Sequence, residues 1–346
     1  RQYHMNDKMD DLRIGVIGAG SWGTALANLL AQKGFPVDLW AFEKEVKEQI
    51  GDKRENQIFL PGIHLSDNIV PTNDLAGVVA DKDFLVTVVP SHLVRVVSAE
   101  MAPHVSPDTV VVSASKGIEN KTHLTMTQVL AEMMPSLKPD NVTVLSGPSF
   151  AREVVANAPT AVTVAARDVE VAKRVQHLFA TPYFRVYTSD DSVGVELGGA
   201  VKNVIAIAAG IIDGLNLGLN TRAALITRGQ TEIRRLGIKL GANPRTFTGL
   251  AGIGDLILTC TGDLSRNHTV GKQIGQGKRL QTILSEMRMV AEGVKTSKSV
   301  YNLSRKLEVE MPISSEIYQV LYHDVPPKEA LFRLMTRDLK EELDEK

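Results

Sequence analysis

Cysteine is nearly missing from this chain: Cys260 is the only one in 346 residues. A single thiol excludes an intrachain disulfide framework, and without a CxxC pair the common zinc patterns fall away. A reducing compartment, the cytoplasm, is the expected location. An excess of charge of either sign is missing too, since 39 Lys and Arg face 40 Asp and Glu for a formal net charge of −1. No global field then draws the chain to nucleic acid or to an anionic membrane, so an anionic ligand must be met locally. The longest apolar run, Leu197 to Ile212, is broken by Lys202, Asn203 and glycines. It falls short of the roughly 18 uninterrupted residues that a spanning helix needs, and a buried helix with no membrane span is expected. The 8 histidines are scattered and form no HxxxH pair, so no metal is expected. The polar lead-in, Arg1 to Asp11, lacks the apolar stretch of a signal peptide.

With 43% hydrophobic and 23% charged residues, the composition is that of a globular protein. The length is enough for two domains on the usual prior. From Arg13 onward, short β-rich runs alternate with helical stretches, which predicts βαβ units and a mainly parallel sheet. Strands are expected at Ile14–Ile17, Val37–Trp40, Phe84–Val89 (as the third), Thr109–Ser113, Val142–Leu145, Thr160–Ala165 and Phe184–Tyr187. Helices are expected at Trp22–Lys33, Met126–Met134 and Val169–Phe179. After about Asp190 the β-rich runs vanish, and helices are predicted over Val193–Asp213, Thr221–Leu240, Leu280–Met289, Val294–Leu307, Ser314–Tyr322 and Pro327–Met335. The expected plan is an α/β domain over 12–190, then an all-α domain over 191–340. The charged stretch from Thr336 to Lys346 reads as a solvated tail.

Ile14–Ile17 runs straight into Gly18-Ala19-Gly20-Ser21-Trp22-Gly23 and then into a helical pattern, which is the strand, turn and helix context that a GxGxxG motif needs. Gly18 permits the tight turn, Gly20 lets backbone approach a pyrophosphate, and Gly23 lets the helix pack closely. Glu43 lies 20 positions beyond Gly23, where an acid can hold the adenosine ribose and favour NAD over NADP; the plainer alternative is a solvated acid at a helix start. Flavin dinucleotides use the same fingerprint, so the loop alone does not choose the cofactor.

Lys202 is the only charged residue between Glu196 and Asp213, and it sits among Leu197, Val201, Val204 and Ile205. A lysine there has its pKa pulled down by burial, which suits a general acid and base, or else it runs its stem along apolar neighbours to reach water at a crease. Gly194, Gly198, Gly199 and Gly210 flatten one face of this helix, so a cofactor or another helix can approach. Two further segments, Gly252-Ile253-Gly254-Asp255-Leu256 and Ser265-Arg266-Asn267-His268, each read either as a binding cluster or as a helix cap or surface loop.

Taken in order, GAGSWGTALA, VVPSH, SASKGIE, LSGPSFARE, the Lys202-Asn203 helix, AGIGDL, TGDLSRN and MVAEGVKTSKSV resemble the glycerol-3-phosphate dehydrogenase family, over about Arg13 to Arg337. The resemblance implies reversible hydride transfer between sn-glycerol 3-phosphate and NAD or NADP, giving dihydroxyacetone phosphate. It also implies a homodimer, a supply of phospholipid backbone, and a C-terminal domain like that of 6-phosphogluconate dehydrogenase. By the same resemblance Lys202 is the proton donor and acceptor. The substrate would meet Lys116, Gly147, Ser149, Asn203, Asp255, Ser265, Arg266 and Asn267. The dinucleotide would meet Gly18, Gly20, Ser21, Trp22, Gly23, Phe42, Glu43, Lys116, Ala151, Arg266, Val290 and Glu292. Phe42-Glu43 stands where many bacterial members have arginines, and so leaves NAD or NADP open. Dehydrogenases of the 3-hydroxyacid or ketopantoate type share the two-domain plan, and a nicotinamide-binding regulator without turnover is the reading from another class.

Overall fold

A computed structural model describes residues 12–342; the lead-in and the last four residues of the expected tail lie outside them. In chain order come β1 (Ile14–Ile17), α1 (Ser21–Gln32), β2 (Val37–Trp40), α2 (Lys44–Lys53), β3 (Ile69–Thr72), α3 (Leu75–Val79), β4 (Phe84–Thr87), α4 (Val94–Met101) and β5 (Val110–Ser113). Then follow α5 (Met126–Met133), β6 (Val142–Ser146), α6 (Ala151–Val155), β7 (Thr160–Ala165), α7 (Val169–Phe179) and β8 (Phe184–Ser189). Helices alone succeed them: α8 (Ser192–Gly214), α9 (Gly218–Lys239), α10 (Asp255–Thr261), α11 (Arg266–Gly275), α12 (Leu280–Glu286), α13 (Glu292–Lys306), α14 (Pro312–Tyr322) and α15 (Pro327–Met335).

The strands form one sheet in the order β3-β2-β1-β4-β5-β6-β7-β8. All neighbours pair in parallel except β6 and β7, so the last two strands run against the rest. Alternation along each strand divides the apolar side chains between two faces. Val16, Val86 and Val112 join Leu26, Leu30 and Phe179 on one face, while Ile17, Leu85 and Val111 join Val97, Met101 and Leu130 on the other. The order reverses between β1 and β4, and the loops at the carboxyl ends of such strands form the crevice where α/β sheets bind ligands.

Several expectations change. Ile69–Thr72 is a strand that the sequence reading passed over, which makes Phe84–Thr87 the fourth; it is a short edge strand carrying Pro71, and both features mute the β signal. The segment from Leu197 to Ile212 is part of one unbroken helix of 23 residues, long and apolar enough to span a membrane, yet wholly buried among its neighbours. Its start is fixed by Asp191, which accepts from Gly194 N at 2.9 Å and also holds Asn243 N and Thr246 Oγ1. The tail is not merely solvated: Lys340 pairs with Glu310 at 3.0 Å and Arg337 reaches the same carboxylate.

Candidate active site

The glycine loop behaves as its three positions require. Gly18 has φ +115°, a conformation that favours glycine, and a Cβ there would press on the Val88 backbone. A Cβ on Gly23 would lie 1.8 Å from Gly18 O. At Gly20 nothing lies within 4 Å of a Cβ position, so the space in front of the first turn of α1 is open. That turn has no side-chain cap and no acidic residue, and its N–H groups are left for an anion. Such a cradle fits the pyrophosphate of a dinucleotide.

Other expected dinucleotide positions lie around it. Phe42, 78% exposed, and the exposed Glu43, at the N-cap of α2, follow β2. Trp22 packs against the sheet core, and the Ser21 hydroxyl donates to Phe59 O at 2.5 Å with Met289 Sδ at 3.3 Å. Val290 is beside Met289 in the segment joining α12 to α13. Glu292, at the start of α13, accepts from Ser91 N at 2.9 Å and from Ser91 Oγ at 2.5 Å, tying the helical part to the loop after β4. Burial pushes its carboxyl upward against these bonds. Ala151 opens α6.

A second constellation gathers at the carboxyl ends of β5 and β6. Lys202 is 5% exposed and Asp255 1% exposed. Lys202 Nζ donates to Asp255 Oδ1 and to Thr259 Oγ1, both at 2.5 Å. Lys116, just beyond β5, places its Nζ 2.6 Å from Asp255 Oδ2 and donates to Gly147 O at 3.3 Å. One carboxylate therefore separates two ammonium groups. Burial draws Lys202 down to about 8; Asp255 opposes the shift and Lys116 adds to it. For Asp255, burial acts upward, but Lys116 and Lys202 outweigh it and keep the carboxyl below its usual range. Thr259 donates its own hydrogen to Asp255 O at 2.7 Å, which fixes its oxygen as an acceptor for Lys202. Sequence reasoning missed Thr259; its spacing of one helical turn from Asp255 was the available signal. The neighbouring Cys260 is buried, and its thiol is pushed up to about 12, so it stays neutral.

The approach of Asp255 to Lys202 is steric in origin. Residues Leu250–Gly254 make a π turn immediately before α10. A Cβ on Gly198 would lie 2.3 Å from Ala251 O in that turn, and one on Gly199 would meet Ser146 Oγ. The flat face of α8 thus receives polypeptide along most of its length, with Gly194 against Thr246 and Gly210 against α11. Further along α8, Asn203 Oδ1 accepts from Asn267 Nδ2 at 3.0 Å, and Asn267 Oδ1 accepts from Gly293 N at 2.9 Å. Ser265 caps α11 by accepting from His268 N at 3.2 Å, and Arg266 follows as the first, exposed residue of that helix. The Ser265-Arg266-Asn267-His268 segment is thus a capped helix start and not a surface loop. Ser149 Oγ donates to Gly147 O at 3.0 Å; Gly147 has φ +149°, and a Cβ there would strike Val162.

Two regions, an open phosphate cradle and a closed lysine and carboxylate cluster, thus share the carboxyl side of one sheet. Residues 13–172 match the profile described as NAD-dependent glycerol-3-phosphate dehydrogenase N-terminus, and residues 191–332 match its C-terminus. The chain belongs to this family. It is 58% identical over 331 residues to the glycerol-3-phosphate dehydrogenase (NAD(P)+) of Syntrophobacter fumaroxidans, covering 96% of this chain and 97% of that one. With the Geobacter sulfurreducens protein of the same name it shares 60% identity over 330 residues, covering 95% and 98%. The crystal structure of glycerol-3-phosphate dehydrogenase from Coxiella burnetii matches with a TM-score of 0.90 at 38% identity, over 94% of this chain and 98% of that one. The architecture is therefore a Rossmann-like N-terminal domain followed by a helical C-terminal domain.

Proposed function

We propose that this protein interconverts sn-glycerol 3-phosphate and dihydroxyacetone phosphate with NAD or NADP. The observation that carries the reading is the buried Lys202, held by Asp255 and Thr259 at the carboxyl edge of the sheet that also carries the glycine loop. The open first turn of α1, with Gly18, Gly20 and Gly23, would hold the pyrophosphate, and Phe42 and Glu43 would meet the adenosine half. A nicotinamide dinucleotide bound there supplies or accepts the hydride.

The chain's own groups do the rest. An ammonium has three donors, and Asp255 and Thr259 take two from Lys202, which leaves one N–H for the C2 oxygen of the substrate. In reduction Lys202 gives that proton to the oxygen, and in oxidation its neutral amine takes the hydroxyl proton. Asp255 keeps the amine in place, and Lys116 on the other carboxylate oxygen limits how basic Lys202 becomes. Arg266, at the capped start of α11, offers a fork suited to the substrate phosphate, and the bonded pair Asn203 and Asn267, next in sequence to Lys202 and Arg266, would serve as hydroxyl partners. Binding energy from the phosphate then orients the carbonyl.

The change from strands to helices between Ser189 and Ser192 supports a domain boundary near residue 190. A homodimer in the cytoplasm, feeding phospholipid synthesis, completes the proposal, and sedimentation of the purified protein tests its oligomeric part. The catalytic part is tested by mixing protein, NADH or NADPH, and dihydroxyacetone phosphate and following nicotinamide absorbance. Loss of absorbance that needs the substrate phosphate is expected. A flat trace with tight dinucleotide binding would favour a regulator instead.

A further inference from the structure

The segment between β5 and α5 leaves its own domain. Near its start is Lys116, whose amine is 2.6 Å from Asp255 of α10. Two residues later Ile118 is buried within the apolar core of the helical domain, and its carbonyl accepts from Ser299 Oγ of α13 at 2.8 Å. Asn120 Nδ2 donates to Lys295 O at 3.4 Å. At the far end, Thr127 N and Thr127 Oγ1 donate to the two oxygens of Glu196 at 2.8 and 2.5 Å. Glu196 is 6% exposed and belongs to α8, the helix that carries Lys202. Its carboxylate faces the first turn of α5, where the partial positive charge of a helix start favours an anion.

Lys116 near the start of this strap and Thr127 at its end, in the first turn of α5, are thus both held by the helical domain. Glu196 and Lys202 sit six positions apart on one rigid helix, so the anchor at Thr127 and the amine at the reacting centre keep a constant separation. We propose that Glu196 is a positioning residue that anchors the strap of residues 114–127 to α8 and so sets where Lys116 meets Asp255. This rests on the reading of Lys202 and Asp255 as the proton-handling pair. Glu196 touches neither the substrate nor the dinucleotide sites described above; it acts through Thr127 and Lys116.

The anchoring chemistry separates two substitutions. In Glu196→Ala both bonds disappear and the half-buried Thr127 N–H loses its partner. In Glu196→Gln the amide oxygen still accepts from Thr127 N, and the Thr127 hydroxyl can turn to accept from the new NH2 group. The full-length protein and both variants would be compared by NADH titration, by kcat and KM for dihydroxyacetone phosphate, and by hydrogen exchange of residues 114–127. For Glu196→Ala, kcat/KM should fall roughly tenfold to hundredfold, as small misplacements of catalytic groups do. NADH affinity should stay within about twofold, exchange should accelerate in 114–127 but not in β7 and β8, and Glu196→Gln should recover most of the loss. Should Glu196→Ala fail to fold, Thr127→Val takes its place, removing only the hydroxyl bond, with a several-fold loss and faster exchange in the same segment. Unchanged exchange in 114–127, or kcat/KM within about twofold of the parent, overturns the proposal. If the parent itself leaves dihydroxyacetone phosphate untouched, the functional reading fails, and exchange alone then decides the role of Glu196.

Discussion

Around the first turn of α1 the chain leaves donors uncapped and the space beside Gly20 unfilled, whereas around Lys202 charged groups are joined at 2.5 and 2.6 Å. The first region is prepared by atoms that are not there. Glycines at 18, 20 and 23 remove side chains so that backbone N–H groups can face a phosphate. The second is prepared by partners that are there, since isolated burial of Lys202 or Asp255 would be costly and each charge makes the other tolerable. A mobile, exchanging ligand suits the open region. A proton that must stay on one atom until needed suits the closed one.

The contrast is broken most severely by Lys202→Ala. Turnover should drop by about a thousandfold or more, the scale of general acid and base catalysis, while NADH affinity in a fluorescence titration stays near that of the parent. Near-normal turnover would remove Lys202 from the mechanism. Gly23→Ala is the counterpart in the open region. Its methyl group would sit 1.8 Å from Gly18 O, so NADH binding should be lost and thermal unfolding should show a stability loss of about 1–3 kcal/mol.

The closed region should also reveal itself through pH. With Lys202 drawn down to about 8, ketone reduction needs the ammonium and should decline as pH rises through about 8. Oxidation needs the neutral amine and should rise over the same interval. A flat profile in both directions would mean that another group carries the proton. Gly20→Ala sharpens the comparison, because nothing in the unliganded protein lies within 4 Å of the added methyl. Its melting temperature should match the parent's, while NADH binding weakens about tenfold through contact with the pyrophosphate. Least of all, Glu43→Gln should move the ratio of NADPH to NADH affinity a few-fold toward NADPH by removing a charge that repels a 2′-phosphate. Equal ratios in variant and parent would take Glu43 out of cofactor choice.

Much of the open region could be read directly, because its spacing is local: one strand, three glycines and a helix follow one another without a break from Ile14 to Gln32. The position of Lys202 was equally visible as a charge in an apolar helix. Its partners were not, since Asp255 lies 53 positions away and the π turn that delivers it has no periodic signature. Glu196 looked like the polar boundary of an apolar run, and only three-dimensional contact with Thr127 gives it an anchor's work. The reversal of β7 was unreadable for a similar reason, because strand direction depends on how the chain returns and not on the residues of the strand.

The packing of α8 on α11 has a consequence for selectivity. Gly210 faces His268 O, Gly214 faces Lys272 O, Gly271 faces Ile207 O and Gly275 faces Ile211 O, in each case too close for a methyl group. At these four glycines main chain rests on main chain, which holds the helix bearing the amine close against the helix bearing the Arg266 guanidinium. The pair works as a ruler with a fixed gauge: on the proposed reading it measures the span from phosphate to reacting carbon, and a homologue longer by one methylene would be mis-registered at one end or the other.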